Sequence, residues 1–358
     1  MLLRILHHTH YDYQGAIDMA QHMVHLSPVQ TASQLLRSHV LTVEPAPAAR
    51  SQTVDVFGNV RTFFSLQSPH ESLTVEVDTL VETSAPKPLP DNEDWQALSW
   101  ERVREHFRYR AKAPYDPAAE FLFASPYVPR DDAFAAFALP VFTPDLPLLE
   151  AARALMERIH TDLKYETAST EIDTPALQAL EQGKGVCQDF AHIMLGCLRS
   201  LGLPARYVSG YLLTQPPPGK PRLIGADASH AWVSVYCPLP QSLEDSEGKT
   251  MPPSGIWVDY DPTNNRCGWG SPGEDYVTLA TGRDFSDVSP MRGVIQGASQ
   301  HELTVAVTVA PPDEWDNLAT RSPDPAASQS QSQSQSQSQS QSQSQSQSQS
   351  QNQSQSVD

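Results

Sequence analysis

Residues 183–211 read Gly-Lys-Gly-Val-Cys-Gln-Asp-Phe-Ala-His-Ile-Met-Leu-Gly-Cys-Leu-Arg-Ser-Leu-Gly-Leu-Pro-Ala-Arg-Tyr-Val-Ser-Gly-Tyr. Gly183 and Gly185 supply a permissive loop. From Cys187 onward the apolar residues Cys187, Phe190, Ala191, Met194, Leu198 and Leu201 recur at helical spacing, and Gly202 and Pro204 end the pattern. An extended run, 206–213, follows at once. The stretch therefore predicts a buried helix with a cysteine in its first turn. Backbone N–H groups without intrahelical partners and the helix dipole favour the thiolate there, so Cys187 is a candidate nucleophile.

Size and charge narrow the setting. The 358 residues carry 42 acidic and 24 basic side chains, a formal net charge of −18, which argues against nucleic-acid binding. No uncharged apolar run of about 18 residues occurs, so no transmembrane helix is expected and no membrane partner. The N-terminus, Met-Leu-Leu-Arg-Ile-Leu-His-His-Thr-His, is apolar too briefly for a signal peptide. Four cysteines in so long a chain, Cys187, Cys197, Cys237 and Cys267, are no disulfide framework. A cytoplasmic location is the expectation.

Working outward, residues 1–85 read as β. Alternation at 2–11, 38–43 and 72–81, and a Gly58-Asn59 turn between strands at 52–57 and 60–65, predict a small antiparallel sandwich. His8 and His10 share a strand face; that is an ordinary polar face before it is a metal site. Residues 86–94 form a proline-rich linker, and 95–310 carry helices and then strands, the order of an α+β domain. Helical patterns cover 95–106, 174–182 and 145–163, the last with Leu148, Ala151, Ala152, Leu155, Ile159 and Leu163 on one face. Strands are expected at 206–213, 230–237, 255–261, 276–278 and 303–309, with proline-rich loops at 216–221 and 238–253. Residues 311–358 end in a Ser-Gln repeat with nothing apolar to bury, which reads as a disordered tail.

A cysteine nucleophile needs a base, and the base an orienting partner. His230 opens one strand, Ser-His-Ala-Trp-Val-Ser-Val-Tyr, and Asp261 ends another, Gly-Ile-Trp-Val-Asp-Tyr-Asp-Pro-Thr-Asn. Each has a blander reading: a packed cysteine, a polar strand-start histidine, a turn-forming aspartate. Spacing alone leaves the matter open, because such partners are adjacent in space and not in sequence. Cys197, in mid-helix, reads as packing. No paired Cys or His spacing and no acidic loop suggests a metal or cofactor, and none is expected.

Gly-Val-Cys-Gln-Asp-Phe-Ala-His, Gly-Leu-Pro-Ala-Arg-Tyr-Val-Ser-Gly-Tyr, Ser-His-Ala-Trp-Val and Asp-Pro-Thr-Asn, in that order, resemble the bacterial transglutaminase-like superfamily. Residues 1–85 are similar to the β domain that precedes its core in many bacterial members. The resemblance implies a papain-like/transglutaminase-like core, a Cys-bearing helix packed on an antiparallel sheet. It implies Cys187 as nucleophile, His230 as base and Asp261 as the orienting carboxylate, with Asp259 a rival for that last place. Asp189 and His192 belong to the same motif, and a structural role is expected for them. Arg206 and Tyr207 are expected to support the fold. The implied reaction is acyl transfer from a peptide or protein amide through a thioester, resolved by water in a cysteine peptidase or amidase. An amine acceptor, as in a protein-glutamine crosslinking enzyme, and a silent binding module of the same fold are the alternatives.

Overall fold

The computed structural model describes residues 1–88, 98–111, 115–167, 170, 174–215, 225, 229–239, 254–297 and 300–317. The Ser-Gln repeat and the 216–221 loop lie outside the described residues, as do most of the 86–94 linker and the 238–253 loop.

The first strand, β1 (Leu2–Val24), is more than twice as long as its alternation over 2–11 predicts, and it serves two sets of neighbours. The next four strands are β2 (Gln34–Glu44), β3 (Ala49–Val54), β4 (Val60–Leu66) and β5 (His70–Thr83). The first half of β1 pairs antiparallel with β5, from Leu2 opposite Glu82. Its second half pairs with β4, from Ala20 opposite Leu66. An irregularity in the β5 register between Asp12 and Ile17 separates the halves. Alternate residues Leu3, Ile5, His7, Thr9, Tyr11 and Tyr13 are buried, as period-two geometry requires. Gly58, at a φ of +86°, makes the turn between β3 and β4.

The middle of the chain contributes α1 (Trp100–His106), α2 (Asp132–Ala138), α3 (Leu148–Asp162), β6 (Lys164–Tyr165), α4 (Ala176–Gln182), β7 (Lys184–Gly185) and α5 (Cys187–Ser200). All six residues expected on the apolar face of α3 are buried, Leu163 just past its end. The strands β8 (Ala205–Leu212), β9 (Ser229–Pro238), β10 (Gly255–Asp261), β11 (Arg266–Trp269) and β12 (Tyr276–Gly282) form a second antiparallel sheet, ordered β11-β10-β9-β8-β12. The helix α5 packs on β9 and β8 and is flanked by α2, α3 and α4. Every residue from Asp189 to Arg199 is buried. Gly196 lets Phe134 of α2 lie flat on α5, since a Cβ there would stand 2.9 Å from the ring.

After α6 (Phe285–Val288) the chain returns to the first sheet. The strand β13 (Met291–Gly297) pairs with the second half of β1, and β14 (His301–Ala310) with the first half. Residues 291–310 were expected in the catalytic unit; they complete the N-terminal sheet instead, which becomes one seven-stranded sheet. A strand's local pattern shows that it will pair but not with which neighbour, because alternation carries no partner identity. Two side-chain amides tie the sheets together. Gln34 donates to the Thr278 carbonyl at 2.8 Å and accepts from its N–H at 2.7 Å. Asn59 does the same at Thr281, at 2.7 and 2.8 Å. Both amides satisfy backbone groups on the outer edge of β12, which no strand covers among the described residues.

Candidate active site

Cys187 is the first residue of α5 and is partly exposed. Its position depends on Asp189, two residues on, whose carboxylate accepts from the Val186 N–H at 2.8 Å and from the Thr170 hydroxyl at 2.6 Å. An acceptor at this point satisfies one of the helix's unpaired N–H groups and favours the positive end of the dipole. The two glycines before the helix do different work. Gly183, at a φ of +66°, closes α4 in the left-handed conformation. Gly185 makes room for Asp189, because a Cβ there would lie 2.7 Å from its carboxylate.

His230 lies near the start of β9 and Asp261 at the end of β10, antiparallel neighbours, so the two side chains meet at one end of the sheet. His230 Nε2–H donates to Asp261 Oδ2 at 2.7 Å. Cys187 lies close enough to the imidazole to help raise its pKa. The three residues singled out in the sequence therefore come together, and Asp261 rather than Asp259 faces the histidine. Asp259 lies opposite Ser234, accepts its hydroxyl, and is pushed up to about 6 by burial.

Asp261 is held on every side. Its Oδ2 also accepts from Tyr276 Oη at 2.7 Å and Asn264 Nδ2 at 2.7 Å, and Oδ1 from the N–H groups of Thr263 at 2.9 Å and Asn264 at 3.3 Å. Burial opposes its ionisation, but the His230 charge and these bonds outweigh it and hold the carboxyl below the usual carboxylate range. Burial likewise opposes the charged imidazole of His230, yet the Asp261 charge and hydrogen bond, with Cys187, raise it to about 10. The arrangement keeps an imidazolium beside the sulfur at neutral pH. From the last turn of α3, His160 Nδ1 bonds the Thr263 carbonyl at 3.1 Å and pins the turn after Asp261.

Trp232 follows His230 on the same face, wholly buried, its ring 6.1 Å from the imidazole and 5.4 Å from Tyr276. Gly210 on β8 admits it: a Cβ there would be 2.6 Å from the indole and 2.1 Å from the Val277 carbonyl. His192, three residues after Asp189, accepts the Phe285 N–H at 3.2 Å and stacks on Tyr127, which ties α5 to α6. Burial lowers it to about 4, so it is neutral. Cys197 is fully buried and its thiol pushed well up by burial. On β1 His10 bonds Thr74, and His8 lies 3.5 Å from Glu76. Among the described residues no group of His, Cys, Asp or Glu is arranged to hold a metal ion, and no helix is long and apolar enough to cross a membrane.

Three residues of the site escaped the sequence reading. Asn264 stands in the Asp-Pro-Thr-Asn motif, where its position already hinted at a bond back to Asp261. Tyr276 had no local signal, since only β12 crossing beside the site brings it there. Tyr165, half exposed on β6, has its hydroxyl pushed well up, chiefly by burial and then by its neighbours Cys187, Asp189 and Asp261.

Residues 3–82 match the family described as the bacterial transglutaminase-like N-terminal region, and residues 135–262, a span containing Cys187, His230 and Asp261, match the transglutaminase-like superfamily. The chain belongs to the transglutaminase-like superfamily. An uncharacterized protein of Mycobacterium tuberculosis is 38% identical over 309 residues, covering 86% of this chain and 92% of its own. One of Mycobacterium leprae is 31% identical over 311 residues, covering 86% and 98%. Among solved structures, a candidate cysteine protease from Cytophaga hutchinsonii superposes with a TM-score of 0.61 at 19% identity, over 87% of this chain and 92% of that one. At that identity the likeness speaks for the fold. This transglutaminase-like chain thus combines an N-terminal β region with the superfamily's mixed core of helices and antiparallel strands.

Proposed function

We propose that this protein is a thiol-dependent acyl-transfer enzyme that cleaves amide or peptide bonds, with Cys187 as nucleophile, His230 as acid and base, and Asp261 as the carboxylate that orients the imidazole. The observation that carries the reading is His230 bonded at 2.7 Å to a fully buried Asp261 while Cys187 acts on the same imidazole. With Nε2 committed to Asp261, Nδ1 is the nitrogen left to serve the sulfur.

The thiolate adds to the amide carbonyl, and a tetrahedral oxyanion forms. The Cys187 backbone N–H, unpaired at the helix start, is the first donor for that oxygen. The imidazolium gives its proton to the departing amine as the C–N bond breaks, leaving a thioester and a neutral imidazole. His230 then takes a proton from water, hydroxide adds, and the thiolate leaves as the acid is released. Asp261 stays ionised throughout and holds the ring in one orientation.

The test is a peptide-library assay with and without a primary amine, comparing wild type with Cys187→Ala. Cleavage that needs no amine and falls to background in Cys187→Ala is the expected result. Incorporation of the amine in place of hydrolysis would assign crosslinking instead. Iodoacetamide should alkylate Cys187 of the wild type well before Cys197; equal rates would remove the case for an activated thiol.

A further inference from the structure

Three aromatic rings around the triad are buried: Trp232 at 0% exposure, Phe190 at 1% and Tyr276 at 2%. Tyr165 of β6 differs from them, with 49% of its surface open. Its place in the fold brings that open ring beside the sulfur.

The register of β6 on β7 sets where the ring lies. Tyr165 pairs in parallel with Gly185, and Val186 continues extended, at a φ of −111° and a ψ of −178°, into Cys187. Side chains two residues apart along an extended chain share a face, so Tyr165 and Cys187 emerge on the same one. Diagonal neighbours on one face of a strand pair lie within about 8 Å, inside the reach of an aromatic side chain. The ring meets Phe190 edge-on, with 6.2 Å between centroids and 88° between planes. Phe190 follows Cys187 by three residues, on the same side of α5. The Tyr165 hydroxyl also has Cys187, Asp189 and Asp261 as charged neighbours, Cys187 first among them.

The segment that carries the ring is firmly held. The Lys164 N–H donates to the Gly183 carbonyl at 2.9 Å and the Glu166 N–H to the Gly185 carbonyl at 3.0 Å. Further along, the Thr170 hydroxyl bonds Asp189 at 2.6 Å. By the same alternation Lys164 and Lys184 point to the other face, and Glu166 bonds them at 2.8 and 3.0 Å. The face that carries the sulfur therefore presents a fixed phenol ring in place of a charge. A ring already fixed loses little freedom on contact, and its open surface leaves water only when something apolar lies on it.

We propose that Tyr165 is a specificity-determining residue, whose ring forms the wall of the subsite beside Cys187 and selects a flat apolar side chain next to the attacked carbonyl. The substrate class this names, peptide segments with an aromatic residue at the scissile bond, rests on the acyl-transfer reading above. The wall itself can be read through the thiol alone.

Two alkylating probes do so without turnover, iodoacetamide and N-benzyl iodoacetamide. In each the Cys187 thiolate displaces iodide, and mass spectrometry of the Cys187 peptide gives the rate. Relative to the same pair of rates on glutathione, the full-length wild type should favour the benzyl probe about tenfold. Tyr165→Ala, and Tyr165→Thr as a strand-favouring second variant, should bring that ratio to about twofold or less. Tyr165→Phe keeps the ring and should retain the preference. Because both rates are read on one thiol, a variant that merely disturbs Cys187 slows the two probes alike. A wild-type ratio near one, a ratio unchanged in Tyr165→Ala and Tyr165→Thr, or a ratio lost in Tyr165→Phe overturns the proposal. Peptide cleavage then ties the wall to substrate: kcat/KM should favour Phe over Gly at the scissile bond about tenfold, and Tyr165→Ala should lose that preference. Equal losses on the two peptides would also overturn it. Cleavage that survives Cys187→Ala, by contrast, removes the acyl-transfer reading while a benzyl preference on Cys187 still supports the wall.

Discussion

The two ends of β9 and β10 differ in how their charged groups are held. At the His230–Asp261 end every charge has a partner: the carboxylate accepts five hydrogen bonds and the imidazolium rests between it and the sulfur. At the Arg206–Trp257 end a guanidinium is stacked on an indole with its Nε bonded to nothing among the described residues. The closed end stores its order in the protein itself, as a catalytic group must, since its geometry has to exist before the substrate arrives.

Breaking the closed end should have the largest effects. Asp261→Asn keeps the shape but removes the charge that orients the imidazole, and should lower the amide-cleavage rate about 10³-fold, read as kcat on a peptide identified by the library. Asp259→Asn, two residues away on the same strand, should cost far less, because its carboxylate serves Ser234 and not the histidine. Equal losses would contradict the assignment of Asp261.

The pH profile sharpens the same contrast. His230 is raised in the folded protein to about 10 from its ordinary 6.5, so its contribution to stability is fully present below 6.5 and is lost as pH rises through about 10. The imidazolium needed for amine departure should likewise persist through neutrality, with the rate falling near pH 10. In Asp261→Asn the fall should move toward neutral pH, as burial then acts without its opponent; an unmoved limb would assign it to another group. A smaller effect is expected from Tyr276→Phe, which deletes one of the five bonds to Asp261. About a tenfold loss in kcat with little change in KM, and a modest shift of the alkaline limb, would mark Tyr276 as a positioning residue. A change in KM alone would argue against it.

Much of this was legible in the residues themselves. The helix beginning at Cys187 could be read from its apolar spacing and from Gly202, which takes a φ of +77° just past its end. The strands carrying His230 and Asp261 could be read from alternation, and β10 begins and ends where the pattern placed it. The glycines before Cys187 were harder: one ends the preceding helix and the other clears space for Asp189, a distinction that depends on a side chain four residues ahead. The short helix α2 was missed because seven residues centred on Ala and Phe carry too little periodicity to stand out. Arg206 looked like a fold-supporting polar residue, and its place over the Trp257 ring shows only in the assembled sheet.

The sequence by itself determined which side chains could do chemistry and on which elements they ride, because helix starts, strand alternation and turns are set by neighbours within a few residues. Only the tertiary structure decided that the last two strands close the first sheet, that Asp261 and not Asp259 meets His230, and that Arg206 stacks on Trp257. Those outcomes rest on strand register and on surfaces brought together from far apart in the chain, which no local pattern of residues specifies.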